Sequence, residues 1–301
     1  MTGNDVRYMK DCLLALNYYP SSVTKISNNT FGADTLTAVT KFQKANNLDT
    51  DGIIGKLTWT AIEKAYKAGA KYKEEEIKPA EGALSLAQIR TKLNSYSHIS
   101  ASHREAIAVD LATVSKIRQD IVLEILDYAY DKDVPGNVRA LYIFGANLYD
   151  KNKTINYADK AEIEKHAKTY PSYFNGGRKE WMLEQIARSS KLPASDCSGM
   201  EVGYLRKHGL VSSSFDITAN NFCTSSKHSS KVSKSELKPG DWVGKSGHIG
   251  TYVGGGLVVE FYGGAYGCQL TDLNNRKGYD FVSKKVRSGS KWTRYRRPKY
   301  Y

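Results

Sequence analysis

Residues 241–264 read DWVGKSGHIGTYVGGGLVVEFYGG. Short apolar runs alternate with glycine clusters, the pattern of strands joined by tight turns. HIGTYV is predicted to pair with LVVEF as a hairpin turning at Gly254-Gly255-Gly256. With those three glycines in the loop, Val253 faces Leu257 and Gly250 faces Glu260. Side chains alternate faces along a strand, so His248 and Glu260 then share a face as diagonal neighbours. A slip of one residue would put Glu260 on the wrong face.

Upstream, residues 195–205 read SDCSGMEVGYL. Met200, Gly203 and Tyr204 recur at helical spacing and Gly209 is a natural stop, so a helix is expected with Cys197 in or near its first turn. The positive end of the helix dipole favours a thiolate there. The same helix start can stabilise a developing oxyanion through its backbone N–H groups. A carboxylate beside an imidazole orients the ring and favours its charged form, which in turn favours thiolate on a nearby cysteine. The expected constellation is Cys197 as nucleophile, His248 as base and Glu260 as orienter. A helix followed by an antiparallel sheet makes an α+β domain over 191–301.

The first 66 residues read as a separate unit. Val6, Met9, Leu13 and Leu16 fall at helical spacing, and Cys12 beside them is expected in a core. TFGADTLTAV (30–39) repeats as IIGKLTWTAI (53–62), each copy a polar turn, an apolar anchor, a glycine and a helix. The glycine is expected to let the chain turn sharply into the helix. Residues 67–83, charged and containing Pro79, read as a linker. Segment 84–190 reads as helical. Ile107, Leu111, Val114, Ile117, Ile121, Ile125 and Ala129 form one stripe, which predicts a single long helix over 104–130. The pattern leaves open whether this segment is a separate domain or part of the next. The chain is therefore multidomain, with an all-α three-helix N-terminal domain, a helical middle segment and an α+β C-terminal domain.

FGADTLTAVTKFQKANNLDTDGIIGKLTWTAI resembles the three-helix peptidoglycan-binding domain common at the ends of wall hydrolases, over nearly all of 4–65. The first turn reads NNTFG where that family often has Asp-Gly before the aromatic. DCSG, LKPGDWV and GHIGTYVGGG are similar to the NlpC-type, papain-like cysteine peptidases that cut peptidoglycan stem peptides, over about 190–275. That resemblance implies a papain-like C-terminal fold, with catalytic roles for Cys197, His248 and Glu260. The family more often has histidine at the third position. It also implies that Asp196 and Ser198 help hold the stem peptide's free amine, with plain helix capping as the alternative. Tyr173, in PSYFNGGRKEW, matches a tyrosine that lines the family's active site, although it lies farther from the cysteine than usual. The implied activity is a cysteine endopeptidase that needs no metal or other cofactor. Two alternatives stay open: a non-catalytic wall-binding or structural protein with a degenerate peptidase fold, and an N-acetylmuramoyl-alanine amidase.

Composition narrows the partners. The 301 residues carry a formal net charge of +13, a surface that attracts polyanions. Charge alone does not choose among nucleic acid, acidic lipid and anionic wall polymers. The tail KKVRSGSKWTRYRRPKYY mixes basic and aromatic residues, yet an anionic wall fits the other motifs better than nucleic acid does. Peptidoglycan and anionic wall polymers are the expected partners. Cys12, Cys197, Cys223 and Cys268 lie far apart without a CxxC pair, so free thiols are expected rather than a zinc site. The N-terminus lacks the apolar run of a signal peptide, and no stretch approaches the roughly 20 apolar residues of a membrane span. The chain is thus expected to be made in a host cytoplasm and to reach the wall after release, as a phage endolysin or a phage-tail component.

Overall fold

The computed structural model describes residues 3–19, 23–71 and 79–301. Of the expected linker, residues 72–78 lie outside the described residues.

The N-terminal module has three helices: α1 (Gly3–Ala15), α2 (Ala33–Ala45) and α3 (Lys56–Lys67). Met9, Leu13, Val39, Phe42 and Ile62 meet in a core of their own, and Cys12 is buried among them. Two side chains hold its turns. Lys10 Nζ donates to the carbonyl oxygens of Asn28 and Thr30 at 3.1 and 2.9 Å. Gln43 donates to the Ile53 carbonyl at 3.0 Å and accepts the Gly52 N–H at 2.9 Å. The repeat's glycines do not make the bend expected of them. Gly32 and Gly55 precede their helices in extended backbone, with φ of −95° and −77°, which any residue adopts. The left-handed glycine beside the repeat is Gly52, at φ 71°, in the turn before its second copy.

The middle segment opens with α4 (Leu86–Asn94), α5 (Ala101–Leu111) and α6 (Lys116–Leu126). The single helix expected over 104–130 is thus two helices. Its apolar stripe is buried as predicted by spacing, with Ile117 only partly so, but the helix stops between Ala112 and Ser115. Thr113 turns its hydroxyl back to the Asp110 carbonyl at 2.6 Å. Ser115 takes the extended conformation of a residue that starts a helix, with φ −63° and ψ 159°. The buried Gln119 amide donates to the Leu111 carbonyl at 3.2 Å and so satisfies the freed end of α5.

The chain continues through β1 (Tyr130–Asp131), β2 (Leu141–Tyr142), α7 (Lys160–Thr169), α8 (Pro171–Phe174) and α9 (Arg178–Arg188). Then come β3 (Ala194–Ser195), α10 (Cys197–Lys207), α11 (Ala219–Thr224), β4 (Ser229–Lys231), β5 (Trp242–Lys245) and β6 (His248–Gly254). The last strands are β7 (Leu257–Gly263), β8 (Gly267–Asp272), β9 (Lys277–Asp280), β10 (Lys285–Ser288) and β11 (Arg294–Pro298). Seven strands form the main sheet in the order β1-β8-β7-β6-β5-β11-β4. Its pairings are antiparallel except where β1 joins β8 in parallel, Tyr130 opposite Gln269. The fold is therefore a helical N-terminal module beside a larger α+β body.

Residues from the middle segment and the sheet share one core. Ile89, Leu93, Ile107, Leu111, Ile121 and Ile125 pack with Met200, Trp242, Val259 and Leu270. The middle segment is thus built into the α+β body, and β1 supplies one of its strands. A second cluster, with Leu141, Ile143, Ile163, Trp181 and Met182, seats α7 and α9. The N-terminal module rests on this body through α2 and α5: Lys41 lies 3.7 Å from Glu105, and Lys44 donates to Asp110 Oδ1 at 2.5 Å. Asp110 Oδ2 accepts the Gly255 N–H at 2.9 Å. Among the described residues, no helix is long and apolar enough to cross a membrane.

Candidate active site

Cys197 is the first residue of α10 because Asp196 caps that helix. The Asp196 carboxylate accepts the N–H groups of Gly199 at 2.7 Å and Gly145 at 2.8 Å, and the Ser198 hydroxyl at 3.1 Å. Asp196 and Ser198 are therefore engaged in capping and in holding the Gly145 loop. The helix then runs hard against residues 146–149. A Cβ on Gly199 would sit 2.0 Å from the Ala146 carbonyl oxygen, and one on Gly203 would sit 2.8 Å from the Tyr149 nitrogen. Glycines one turn apart are what permits this approach, and it fixes the position of the helix start.

The opposite wall is the hairpin. Its turn is tighter than the three-glycine loop expected. Gly254 pairs with Leu257, leaving Gly255-Gly256 as a two-residue turn with φ of 60° and 73°, the left-handed pair that suits a twisted hairpin. A bulge at Val253 restores the register, so Thr251 faces Val259. Glu260 thus falls on the face expected of it. Gly250 leaves the space through which His248 reaches across, since a Cβ there would lie 3.0 Å from Glu260 Cβ.

His248 Nε2 lies 2.6 Å from Glu260 Oε2. Glu260 is fully buried and surrounded by donors. Thr271 Oγ1 donates to Oε1 at 2.7 Å, and Arg276 Nε donates to Oε1 at 2.8 Å. Arg276 Nη2 bonds Oε2 and also lies 3.0 Å from His248 Nε2. The guanidinium sits over the rings of Tyr262 and Trp292, at 4.1 and 4.7 Å from their centroids. The His248 ring stacks on Trp292 at 5.6 Å. Arg276 has no counterpart in the sequence reading. It lies in the connection between β8 and β9, and no periodic pattern points it at residue 260.

The sulfur of Cys197 meets the strand on either side of His248. Sγ lies 3.9 Å from the Gly247 carbonyl oxygen and also receives the Ile249 and Ser198 N–H groups. Lys245, opposite His248 in the sheet, adds a cation near this cluster. Tyr173 is 37% exposed and stacks on Phe144 at 4.1 Å. It lies 6.4 Å from the ring of Tyr142, which in turn borders Cys197. The aromatic expected upstream therefore reaches the vicinity of the thiol through a second tyrosine.

The charges differ from the expectation of a ready thiolate. Burial, with the Asp196 charge adding to it, pushes the Cys197 thiol up to about 12, and the two N–H bonds to sulfur only partly oppose this. Burial also lowers His248. Glu260 works against that shift, while Arg276 and Lys245 reinforce it. Glu260 itself is held at about 2: burial raises it, but bonds from Arg276 and His248 outweigh burial. The resting site thus pairs a neutral thiol with a neutral imidazole beside a carboxylate. The helix dipole is the weaker influence because both groups are buried, Cys197 at 6% exposure and His248 at 7%.

Other clusters are less suited to chemistry. His103, Asp131 and Asp133 form the one group with metal-ligand proximity among the described residues. Each His103 nitrogen faces a different carboxylate, and Lys132 lies 3.2 Å from Asp133, so the group holds its own countercharges. All four cysteines are free thiols. Two surface hollows, of about 650 and 370 Å³, lie away from Cys197. The first is bordered by α7, α8 and α9, the second by Tyr130 and residues 135–139.

Two assemblies are thus in place: a small helical module with its own core, and an α+β body with a thiol, an imidazole and a carboxylate on adjoining elements. The first of these matches, over residues 2–62, the family model described as a peptidoglycan binding domain. Neither a search of curated proteins nor a search of solved structures gave a match.

Proposed function

We propose that the chain is a peptidoglycan hydrolase whose α+β body cleaves amide bonds with Cys197, His248 and Glu260. The observation that carries this reading is the 2.6 Å contact of His248 Nε2 with Glu260, beside a cysteine that begins a helix. With Nε2 engaged, the ring's Nδ1 takes the thiol proton as Sγ attacks the amide carbonyl. The oxyanion forms at the start of α10 against the Cys197 N–H, since the Ser198 and Gly199 N–H groups already bond Sγ and Asp196. Collapse of the tetrahedral intermediate breaks the C–N bond, and the imidazolium gives its proton to the leaving amine. Water, deprotonated by the same ring, then cleaves the thioester and regenerates the thiol. Because the resting thiol is neutral, proton transfer and attack occur together. The N-terminal domain holds the body on its substrate and raises the local concentration of cleavable bonds. On this reading the protein works on a bacterial wall from outside the cytoplasm in which it is made, as a phage endolysin or tail component does.

Purified protein is expected to clear Gram-positive walls, and Cys197→Ala to abolish clearing while leaving wall binding intact. Undiminished clearing by that variant would refute the mechanism. Mass spectrometry of the released fragments tells a stem-peptide cut from a sugar–peptide amidase cut. One observation favours a second reading, a wall-binding protein with an inert peptidase fold: Cys197 is buried and its thiol raised. That reading stands if the wild-type chain binds walls and releases no fragments.

A further inference from the structure

We infer that Arg276 is the positioning residue of this site: it pins Glu260 as a permanent acceptor, so that His248 rests neutral with its proton on Nε2 and a bare Nδ1. The inference rests on the peptidase reading only for the use to which the bare nitrogen is put.

Nε2 has two neighbours of opposite demand. Glu260 Oε2, at 2.6 Å, accepts and requires a proton on the ring nitrogen. Arg276 Nη2, at 3.0 Å, is a donor that never loses its charge. The conflict resolves one way, because the guanidinium already bonds both carboxylate oxygens through Nε and Nη2. It therefore satisfies itself on Glu260 and leaves the carboxylate to accept the Nε2 proton. Its charge near the ring disfavours a second proton there.

The surroundings hold the fork in place. Tyr262 and Trp292 lie against the guanidinium, and Nη1 donates to the Ser290 carbonyl at 3.4 Å. The charged groups facing His248 are Glu260 from β7, Arg276 from the β8–β9 connection and Lys245 from β5, and the Cys197 sulfur of α10 lies 3.9 Å from the carbonyl oxygen of the preceding residue, Gly247. Two cations against one anion keep the ring neutral, in line with the lowering of His248. A dyad arranged so does not store a thiolate. It keeps the sulfur protonated and unreactive toward oxidants until a carbonyl arrives.

Nitrogen NMR of the ring, on the full chain labelled at histidine and with His248 assigned by His248→Gln, tests this without substrate. In the wild type, Nε2 is expected to carry the proton and Nδ1 to be bare at pH 7. An imidazolium, or a proton on Nδ1, overturns the inference whatever the variants do. Arg276→Met is expected to raise the pH at which the ring takes its second proton by one unit or more. Arg276→Gln, which keeps a donor for Glu260 but drops the charge, serves if the methionine variant does not fold, and is expected to shift the ring the same way. Arg276→Lys is expected to restore the midpoint to within half a unit of wild type. A folded Met or Gln variant with an unshifted ring defeats the inference. A chain that shows these shifts but clears no wall loses the peptidase reading and keeps this one. Clearing that depends on Cys197, with an unshifted ring in the variants, gives the reverse.

Discussion

Glu201 sits one helical turn beyond Cys197 and is fully buried. Thr251 donates to Oε1 at 2.9 Å, and Oε2 has no hydrogen-bond partner among the described residues. Burial pushes this carboxyl well above its ordinary range, the Thr251 bond opposing and the Asp196 charge adding. The folded chain keeps the proton, whereas the unfolded chain loses it near pH ~4.3. Stability from this group is therefore whole below that pH and declines as pH rises toward the folded value. Glu201→Gln, already neutral, escapes the decline. It is expected to match wild type near pH 4 and to exceed it by about 1 kcal/mol or more at pH 8, read from urea unfolding at both. A wild type that is the more stable at pH 8 would show the carboxylate to be paired after all. Glu260 is as deeply buried and titrates at the opposite end, because a guanidinium faces it. The pairing of His248 with Glu260 was legible in the sequence, since period two along two strands puts both on one face. Arg276 was not, because its approach depends on how a connection folds back over the sheet. Nor was the neutral thiol, because a helix start is visible in a sequence and the depth at which it is buried is not.

At the scale of elements, glycine placement decides what the helices and strands can do. Gly199 and Gly203 let α10 lie against residues 146–149. Gly199→Ala puts a methyl group into the Ala146 carbonyl, backbone that cannot step aside without moving the loop held by Asp196. The variant is expected to lose about 1–3 kcal/mol in denaturant unfolding and to lose wall clearing, because the displaced helix carries Cys197 with it. Unchanged stability would mean that the helix has room to spare. The helix itself was readable from its spacing, whereas the close approach was not, because it depends on a loop some fifty positions earlier in the chain. The hairpin shows the same limit. Its face assignment followed from alternation, but the bulge at Val253 is set by how three adjacent glycines divide between strand and turn. The break between α5 and α6 was hidden because the apolar stripe continues through it, and Thr113 and Ser115 changed the backbone without changing the stripe.

For the whole molecule, the two cores are separate and the contact between them includes ion pairs. Lys44 is well exposed, so its pair contributes at most about 1 kcal/mol, and the 3.7 Å contact of Lys41 with Glu105 is the more covered of the two. Removing residues 1–66 is therefore expected to leave the α+β body folded. Co-sedimentation with purified walls is expected to fall about tenfold or more, while cleavage of soluble stem-peptide fragments persists. Equal sedimentation of the shortened chain would move the wall-binding function into the body, where the net charge of +13 offers an alternative source of attraction. The domain's helices and repeat were plain in the sequence because short amphipathic helices carry their own pattern. The union of the middle segment with the sheet was not, because β1 is only two residues long.

That short strand limits how the protein can be divided. Tyr130 and Asp131 cover the outer side of β8, and the helices before them roof the sheet. A fragment starting at residue 191 would carry every member of the proposed triad. It would also present a bare row of backbone donors and acceptors and an unroofed apolar surface, the combination by which chains stack into aggregates. The smallest piece that keeps the site in its fold therefore begins upstream of α4, not at the cysteine.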